Sequence, residues 1–310
     1  MRITGTTRIF YCIADPVDQV RAPEVFNEVF TRHEVDAVMV PLRVTAGHLA
    51  ATLRCLLASP TVGGVSLSIP HKAAASAMVD HCSRAALAAN AVNAIRRNPD
   101  GELEGDLFDG VGFIRLMDRA DLAYAGRRVL MLGAGGAASA VATALAAAGV
   151  AELALFDPDH AKAQHLAAVL RRDFHIEASG VLTNDPHDYD VIINASPLGL
   201  KDSDPLPVDV DAIRADALVC DILMKNQPTP LLRAARSRGL IAEAGFDMLI
   251  QQTPLYLEFF GYPELARSVR SDDGYLLDLI IPDALRRSSG RSYTRKSAIS
   301  RPSANPENDR

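Results

Sequence analysis

Three short stretches of this chain carry residues whose types and spacing suit chemistry. The run VLMLGAGGAASA, Val129 to Ala140, sets Gly133, Gly135 and Ala138 in the order GxGxx(G/A) between an apolar run and an Ala-rich one. Gly133 permits a tight turn, Gly135 lets a pyrophosphate approach the backbone, and Ala138 lets a helix pack closely on the preceding strand. Gly133, Ala134, Gly135, Gly136 and Ala137 are therefore candidate cofactor contacts, with backbone N–H groups and the positive end of a helix dipole facing the phosphates. A small-residue turn needed only for packing is the alternative. Asp157 follows Gly133 by 24 positions, close to the ~20-residue offset of an acid that accepts a ribose 2′-hydroxyl and repels a 2′-phosphate. It favours NAD, with NADP possible, although a helix cap before Pro158 would use the same carboxylate. In SLSIPHK, Ser66 to Lys72, Lys72 falls in the first turn of an expected helix, where the dipole disfavours an ammonium and lowers the amine pKa. Such a lysine can exchange protons near neutral pH. A lysine at a helix start is more often a solvated charge, and His71 beside it reads as structural.

The elements that would position these residues follow from apolar runs alternating with stretches of helical period, an α/β pattern. Strands are expected at Arg8 to Ala14, Ala37 to Arg43 and Gly64 to Leu67, then a hairpin of Ala91 to Arg97 with Glu102 to Asp106 around Asn98-Pro99-Asp100-Gly101. Helices are expected from Pro23 onward, over Ala46 to Ala58 and over Pro70 to Val79, two of them opening on proline. After Gly126 a second unit begins: strand Arg127 to Leu132, helix Gly135 to Ala148, strand Ala151 to Phe156, then strands at Asp190 to Asn194, Ala217 to Asp221 and Leu240 to Glu243. That is a doubly wound nucleotide-binding unit. The absence of strand-like runs after Gly245 suggests helices that pack back across a cleft.

The fold class is thus two-domain α/β: an N-terminal α/β substrate-binding domain over 1–108, a Rossmann NAD(P)-binding domain over 109–245, and C-terminal helices over 246–285 returning to the first. Length agrees, since 310 residues are about right for two domains of ~100 to 200 residues. The stretch from Arg286 to the end holds seven basic residues against Glu307 and Asp309, a balance of +5, which leaves the body at −11 within a chain total of −6. A body that acidic argues against a nucleic-acid groove. The tail over 286–310 has little to bury and is expected to be disordered. Four scattered cysteines show neither zinc nor disulfide spacing, so reduced thiols and no metal are expected. No apolar run reaches the ~20 residues of a membrane span, and MRITGTTRIFYCIAD lacks the pattern of a secretory signal. The expectation is a cytoplasmic monomer or homodimer with no membrane or nucleic-acid partner.

Seven motifs, in order, make the chain resemble the shikimate dehydrogenase family from Tyr11 to about Gly261: GVSLSIPHK (Gly64 to Lys72), AVNAI (Ala91 to Ile95), GDLFDGVGF (Gly105 to Phe113), LGAGGAA (Leu132 to Ala138), NASPLGL (Asn194 to Leu200), TPLLRAARSRG (Thr229 to Gly239) and GFDMLIQQ (Gly245 to Gln252). The resemblance implies NAD(P)-dependent interconversion of shikimate or quinate, small hydroaromatic acids, with their 3-dehydro forms. It implies Lys72 and Asp109 as the catalytic pair. A hydroxyl proton must leave as hydride leaves carbon, and a hydrogen-bonded lysine and carboxylate can take it and return it. Asn93 and Gln252 stand where the family binds ring hydroxyls, Ser66 and Ser68 stand at substrate positions, and Asn194, Ala195, Ser196 and Gly245 stand beside the cofactor.

The substrate shell departs from that pattern. Where the family has two serines that bind the substrate carboxylate, ADPVDQVRAP has Val20 and Ala22. Ser66 replaces an Asn and Ser68 a Thr, Leu107 and Phe108 replace polar residues, and Met224 replaces a tyrosine. Arg21 is the nearby residue able to grip a carboxylate through two parallel bonds, with a solvent-facing arginine as the alternative. Besides shikimate or quinate dehydrogenase activity, the sequence allows a dehydrogenase for a different cyclic hydroxy acid and a non-catalytic sensor of shikimate-type ligands.

Overall fold

The computed structural model describes residues 2–282. The expected disordered tail over 286–310, and the last residues of the expected helical stretch to Leu285, lie outside the described residues.

The first half builds a six-stranded mixed sheet from β1 (Arg8–Ala14), β2 (Ala37–Arg43), β3 (Val62–Leu67), β4 (His81–Cys82), β5 (Ala94–Arg97) and β6 (Leu103–Asp106). Their spatial order is β2-β1-β3-β5-β6-β4. β1 lies parallel to both β2 and β3, while β3, β5 and β6 pair antiparallel in turn. α1 (Ala22–Arg32), α2 (Leu49–Ala58), α3 (Lys72–Ser76) and α4 (Arg84–Ala89) connect the strands. β1 shows the strand period of two: Phe10 and Cys12 enter one core with α1, and Ile13 enters another with Leu49, Leu53 and Leu57 of α2.

The second half is a parallel sheet of β7 (Arg128–Leu132), β8 (Glu152–Phe156), β9 (Glu177–Gly180), β10 (Val191–Asn194), β11 (Leu218–Asp221) and β12 (Ile241–Ala244), ordered β12-β11-β10-β7-β8-β9. Counted within the unit, this is the 3-2-1-4-5-6 order of a dinucleotide fold, with its switch point between the first and fourth strands, here β7 and β10. α5 (Asp109–Arg119), α6 (Gly136–Ala147) and α7 (His160–Phe174) cover one face through Phe113, Leu116, Val141, Leu145, Leu166 and Leu170. α8 (Pro230–Ser237) covers the other through Leu231, Leu232 and Ala235.

α9 (Met248–Phe259), α10 (Pro263–Ser271) and α11 (Gly274–Ile280) then return to the first sheet. The Phe260 ring lies 4.8 Å from Phe10 and is tilted 35° to it, and Tyr256 lies edge-on to Phe26 at 5.7 Å. α5 is clamped between the two halves by glycines. A Cβ on Gly110 would sit 2.2 Å from the Ala140 carbonyl oxygen of α6, and one on Gly112 would sit 2.7 Å from the Met248 carbonyl oxygen of α9.

Several local expectations change. The helix read from Pro70 to Val79 is only Lys72–Ser76, with Pro70 in the preceding turn rather than in the helix. The expected Ala91–Arg97 strand starts at Ala94 because Ala91 and Asn93 run as a connecting segment, and β4, α4 and β9 were not anticipated. All four cysteines are free, with Cys12 and Cys220 buried but Cys55 exposed.

Candidate active site

β3 ends at Leu67, and the turn after it delivers Lys72 as the first residue of α3. Across the cleft, Asp109 is the first residue of α5. The Lys72 Nζ donates to Asp109 Oδ2 at 2.5 Å, with both side chains largely buried. α3 is one short turn, so the ion pair with Asp109, rather than a long helix dipole, dominates the lysine's surroundings. His71 is 1% exposed and its Nε2 hydrogen-bonds the Val44 carbonyl at 2.8 Å, a structural role.

The segment between α4 and β5 brings in Asn93, which is 1% exposed. Its Oδ1 accepts from the Phe108 N–H at 3.0 Å and its Nδ2 donates to Gln252 Oε1 at 3.3 Å. Gln252 comes from α9, 159 residues later in the chain, and is held against α5 where its Cβ lies 3.2 Å from the Cβ position at Gly112. Four residues after Gln252, on the same helix face, Tyr256 donates to the Asn93 carbonyl at 3.1 Å and accepts from Ser66 Oγ at 3.4 Å. Its ring meets Phe108 edge-on at 4.9 Å. Burial first, then the negative charge of Asp109, holds the Tyr256 hydroxyl well above the ordinary phenol range, so it remains a donor. Tyr256 escaped notice in the sequence, although its i+4 spacing from Gln252 was the available signal.

Ser66 is buried in this cluster and Ser68 is half-buried at its edge. Val20 is half-buried and Ala22 buried against the core that also holds Phe26, Phe108 and Tyr256. Arg21 is otherwise engaged: its Nε and Nη2 both donate to Glu24 Oε2, at 2.9 and 2.7 Å. The expected grip on a substrate acid therefore competes with a bond already made inside its own helix turn. Arg21→Ala is expected to change KM for any turned-over substrate less than twofold; a tenfold rise would restore Arg21 to the site.

The carboxyl ends of β7 and β10 meet at the switch point. Gly133 adopts φ +108°, and a Cβ there would sit 2.8 Å from the Ala195 carbonyl oxygen, so the glycine is required both by conformation and by space. Asn194 is fully buried; its Nδ2 donates to the Leu198 carbonyl and to Asp221, and its Oδ1 accepts from the backbone and hydroxyl of Ser196. Asn194 thus shapes the loop rather than facing the cleft. Asp221 is also held by Thr229 and by the Leu223 N–H, yet burial pushes its carboxyl up to about 6. Gly245 is buried in a helical turn that feeds α9.

A dinucleotide fits what this loop offers. The N–H groups of Gly136, Ala137 and Ala138 open α6 and have no acceptor within the helix. A Cβ on Gly135 would meet nothing within 4 Å, which leaves room for a phosphate. Ala134 is different from the expectation: its N–H is given to Asp157 Oδ2 at 2.8 Å and is not free for phosphate. Asp157 Oδ1 accepts from the Asp159 N–H, and Asp159, not Asp157, is the N-cap residue of α7. The Cβ position at Gly136 is 3.5 Å from Lys72 Cβ, so the nucleotide loop and the Lys72–Asp109 pair are adjacent. No cluster of three metal-ligating side chains occurs among the described residues, and no helix among them is long and apolar enough to cross a membrane.

Residues 12–95 match the shikimate dehydrogenase substrate binding domain. The chain is 36% identical over 256 residues to the shikimate dehydrogenase (NADP(+)) of Rubrobacter xylanophilus, covering 81% of this chain and 89% of that one. Its fold is similar to the shikimate 5-dehydrogenase of Listeria monocytogenes solved with shikimate and NAD, with TM-score 0.76, 26% identity, and coverage of 87% and 98%. It is also similar to ligand-free 5-ketofructose reductase of Gluconobacter sp. strain CHM43, with TM-score 0.74, 25% identity, and coverage of 86% and 99%.

Proposed function

Because the chain belongs to the shikimate dehydrogenase family of NAD(P)-dependent oxidoreductases acting on CH–OH groups, we propose that it interconverts a shikimate- or quinate-type ring alcohol and its 3-dehydro ketone. The observation that carries this reading is the 2.5 Å Lys72–Asp109 hydrogen bond lying beside the nucleotide loop. A nicotinamide ring at the switch point would supply the hydride acceptor in oxidation and the donor in reduction. In oxidation Lys72, as the free amine, takes the one proton of the reacting hydroxyl on Nζ while Asp109 Oδ2 accepts a hydrogen bond from it, and in reduction the resulting ammonium returns that proton. Asn93 and Gln252 orient neighbouring ring hydroxyls, since each amide has both donor and acceptor atoms. Burial of Asn93, Asp109 and Gln252 to 4% exposure or less limits the access of water to the pair, which strengthens each charge interaction. Incubation with NAD or NADP and a panel of hydroaromatic compounds, following reduced cofactor, tests the reading. Absence of turnover across the panel would favour a sensor that has kept the fold.

NAD is the preferred cofactor in this reading, although the Rubrobacter xylanophilus relative is named for NADP. Asp157 sits on the loop through the Ala134 N–H, and Asp159 follows it. Two carboxylates there repel a 2′-phosphate and leave Asp157 to accept a 2′-hydroxyl. Lys162, on the next helix, lies 3.4 Å from Asp159 rather than free. Wild-type kcat/KM is expected to favour NAD, and Asp157→Ser with Pro158→Arg to move the ratio at least tenfold toward NADP. A wild-type enzyme that already prefers NADP would refute the role given to Asp157.

A further inference from the structure

Tyr256 does more in this molecule than fill space. Its ring belongs to an aromatic cluster with Phe26, Phe108 and Phe260, and packing alone would be served as well by a phenylalanine. The residue is 4% exposed, and a hydroxyl so buried is tolerated only where its own bonds offset the water it has lost. Those bonds go to segments that carry the site: the hydroxyl donates to the Asn93 carbonyl at 3.1 Å and accepts from Ser66 Oγ at 3.4 Å.

Asn93 in turn brackets the three residues that lead into Asp109. Its N–H donates to the Asp106 carbonyl at 2.8 Å, and its Oδ1 accepts from the Phe108 N–H at 3.0 Å. Phe108 is the N-cap residue of α5 and Asp109 the first residue of that helix. Tyr256 reaches the same segment by a second route, because its ring meets the Phe108 ring edge-on at 4.9 Å. Gln252, one turn earlier on α9, holds Asn93 Nδ2 at 3.3 Å, so one helix face grips Asn93 by side chain and by backbone. The Tyr256 hydroxyl remains a donor, since burial and then the Asp109 charge hold it well above the ordinary phenol range.

We propose that Tyr256 is a positioning residue for the reaction: through the Asn93 carbonyl and the Phe108 ring it fixes the 106–108 segment, and with it the approach of Asp109 to Lys72. This rests on the hydride-transfer reading above for its effect on rate alone. The placement of Asp109 against Lys72 belongs to the resting protein and can be read without any substrate.

Tyr256→Phe keeps the ring and removes the hydroxyl. The Asn93 carbonyl still accepts from the Leu67 N–H at 2.8 Å, so no buried acceptor is orphaned and Tm is expected to stay within a few degrees of wild type. With KM within twofold, kcat is expected to fall about fivefold, inside the roughly two- to twelvefold that one net hydrogen bond is worth. Independently of turnover, a short pulse of acetic anhydride followed by peptide mass spectrometry reads the Lys72 amine, which is more open to the reagent once its carboxylate partner has moved. Lys72 is expected to be acetylated at least threefold faster in the variant, measured against the exposed Lys201. Unchanged acetylation of Lys72 overturns the proposal, and so does an unchanged kcat with a lowered Tm, which marks a hydroxyl that serves packing alone. Wild-type protein that turns over no ring alcohol, while Tyr256→Phe still opens Lys72 to the reagent, would defeat the hydride-transfer reading and leave the positioning role standing.

Discussion

Replacing Lys72 by Ala is expected to lower kcat by a hundredfold or more while KM moves within a few fold. The variant removes the Nζ that hydrogen-bonds Asp109 Oδ2 and leaves the reacting oxygen without the group that exchanges its proton. Positioned acid–base groups are worth ~10² to 10⁴ in rate, and a loss confined to kcat marks an interaction made in the transition state. Binding is expected to persist because Asn93 and Gln252 hold each other from two different elements, untouched by the change. Asp109→Asn should lose a similar factor in kcat. An unchanged kcat in Lys72→Ala, with an intact melting curve, would take the lysine out of the mechanism.

The second large effect is expected one residue away from chemistry. Gly110→Ala adds a methyl group whose carbon would stand 2.2 Å from the Ala140 carbonyl oxygen and 2.7 Å from Ala144 Cβ. Both are parts of α6 that cannot swing aside as a side-chain end could, so α5 must shift. Overpacking of this kind costs ~1–3 kcal/mol and occasionally more, which for a domain of this size lowers Tm by about 5–10 °C at the upper end. Asp109 precedes Gly110 at the start of α5, so the same shift pulls the carboxylate away from Lys72. Calorimetric Tm and kcat should therefore fall together. A variant with a lower Tm but normal kcat would show that α5 can be displaced without moving Asp109.

How far the sequence anticipated these features depended on the kind of signal each residue carried. β1 and β2 appear with the bounds expected from it, because each is a continuous apolar run flanked by turn residues. The glycine loop and its strand–helix context were equally legible, since Gly133 and Ala138 have steric reasons to be small. β9, EASG, was not: it is an edge strand of small and polar residues with no period to detect. α4, RAALAA, is stopped by Asn90 in the left-handed region, a conformation an apolar count does not register. In the site, local motifs pointed to Lys72, while Asp109, Asn93 and Gln252 were marked through the family resemblance. Arg21 stayed open between gripping an acid and facing solvent, because spacing places an arginine near a site without revealing that Glu24, three residues on, takes its guanidinium. Tyr256 went unread for the converse reason. Its neighbours Ser66, Asn93 and Phe108 are more than a hundred residues away in the chain, and only tertiary structure brings them together.

The return of α9 to the first sheet bears on how the protein is made. Phe10, Phe26 and Gly64 at the start of the chain close their packing only on Tyr256, Phe260 and Tyr262 near its end. During synthesis the N-terminal sheet therefore emerges from the ribosome with one face uncovered, and it must wait through some 150 residues, roughly eight to thirty seconds at ~5–20 residues per second. The parallel sheet between them has its strands and covering helices in one continuous stretch and can consolidate during that interval. Completion of the last helices, rather than emergence of the first strands, is then the event that seals both the early core and the catalytic cleft.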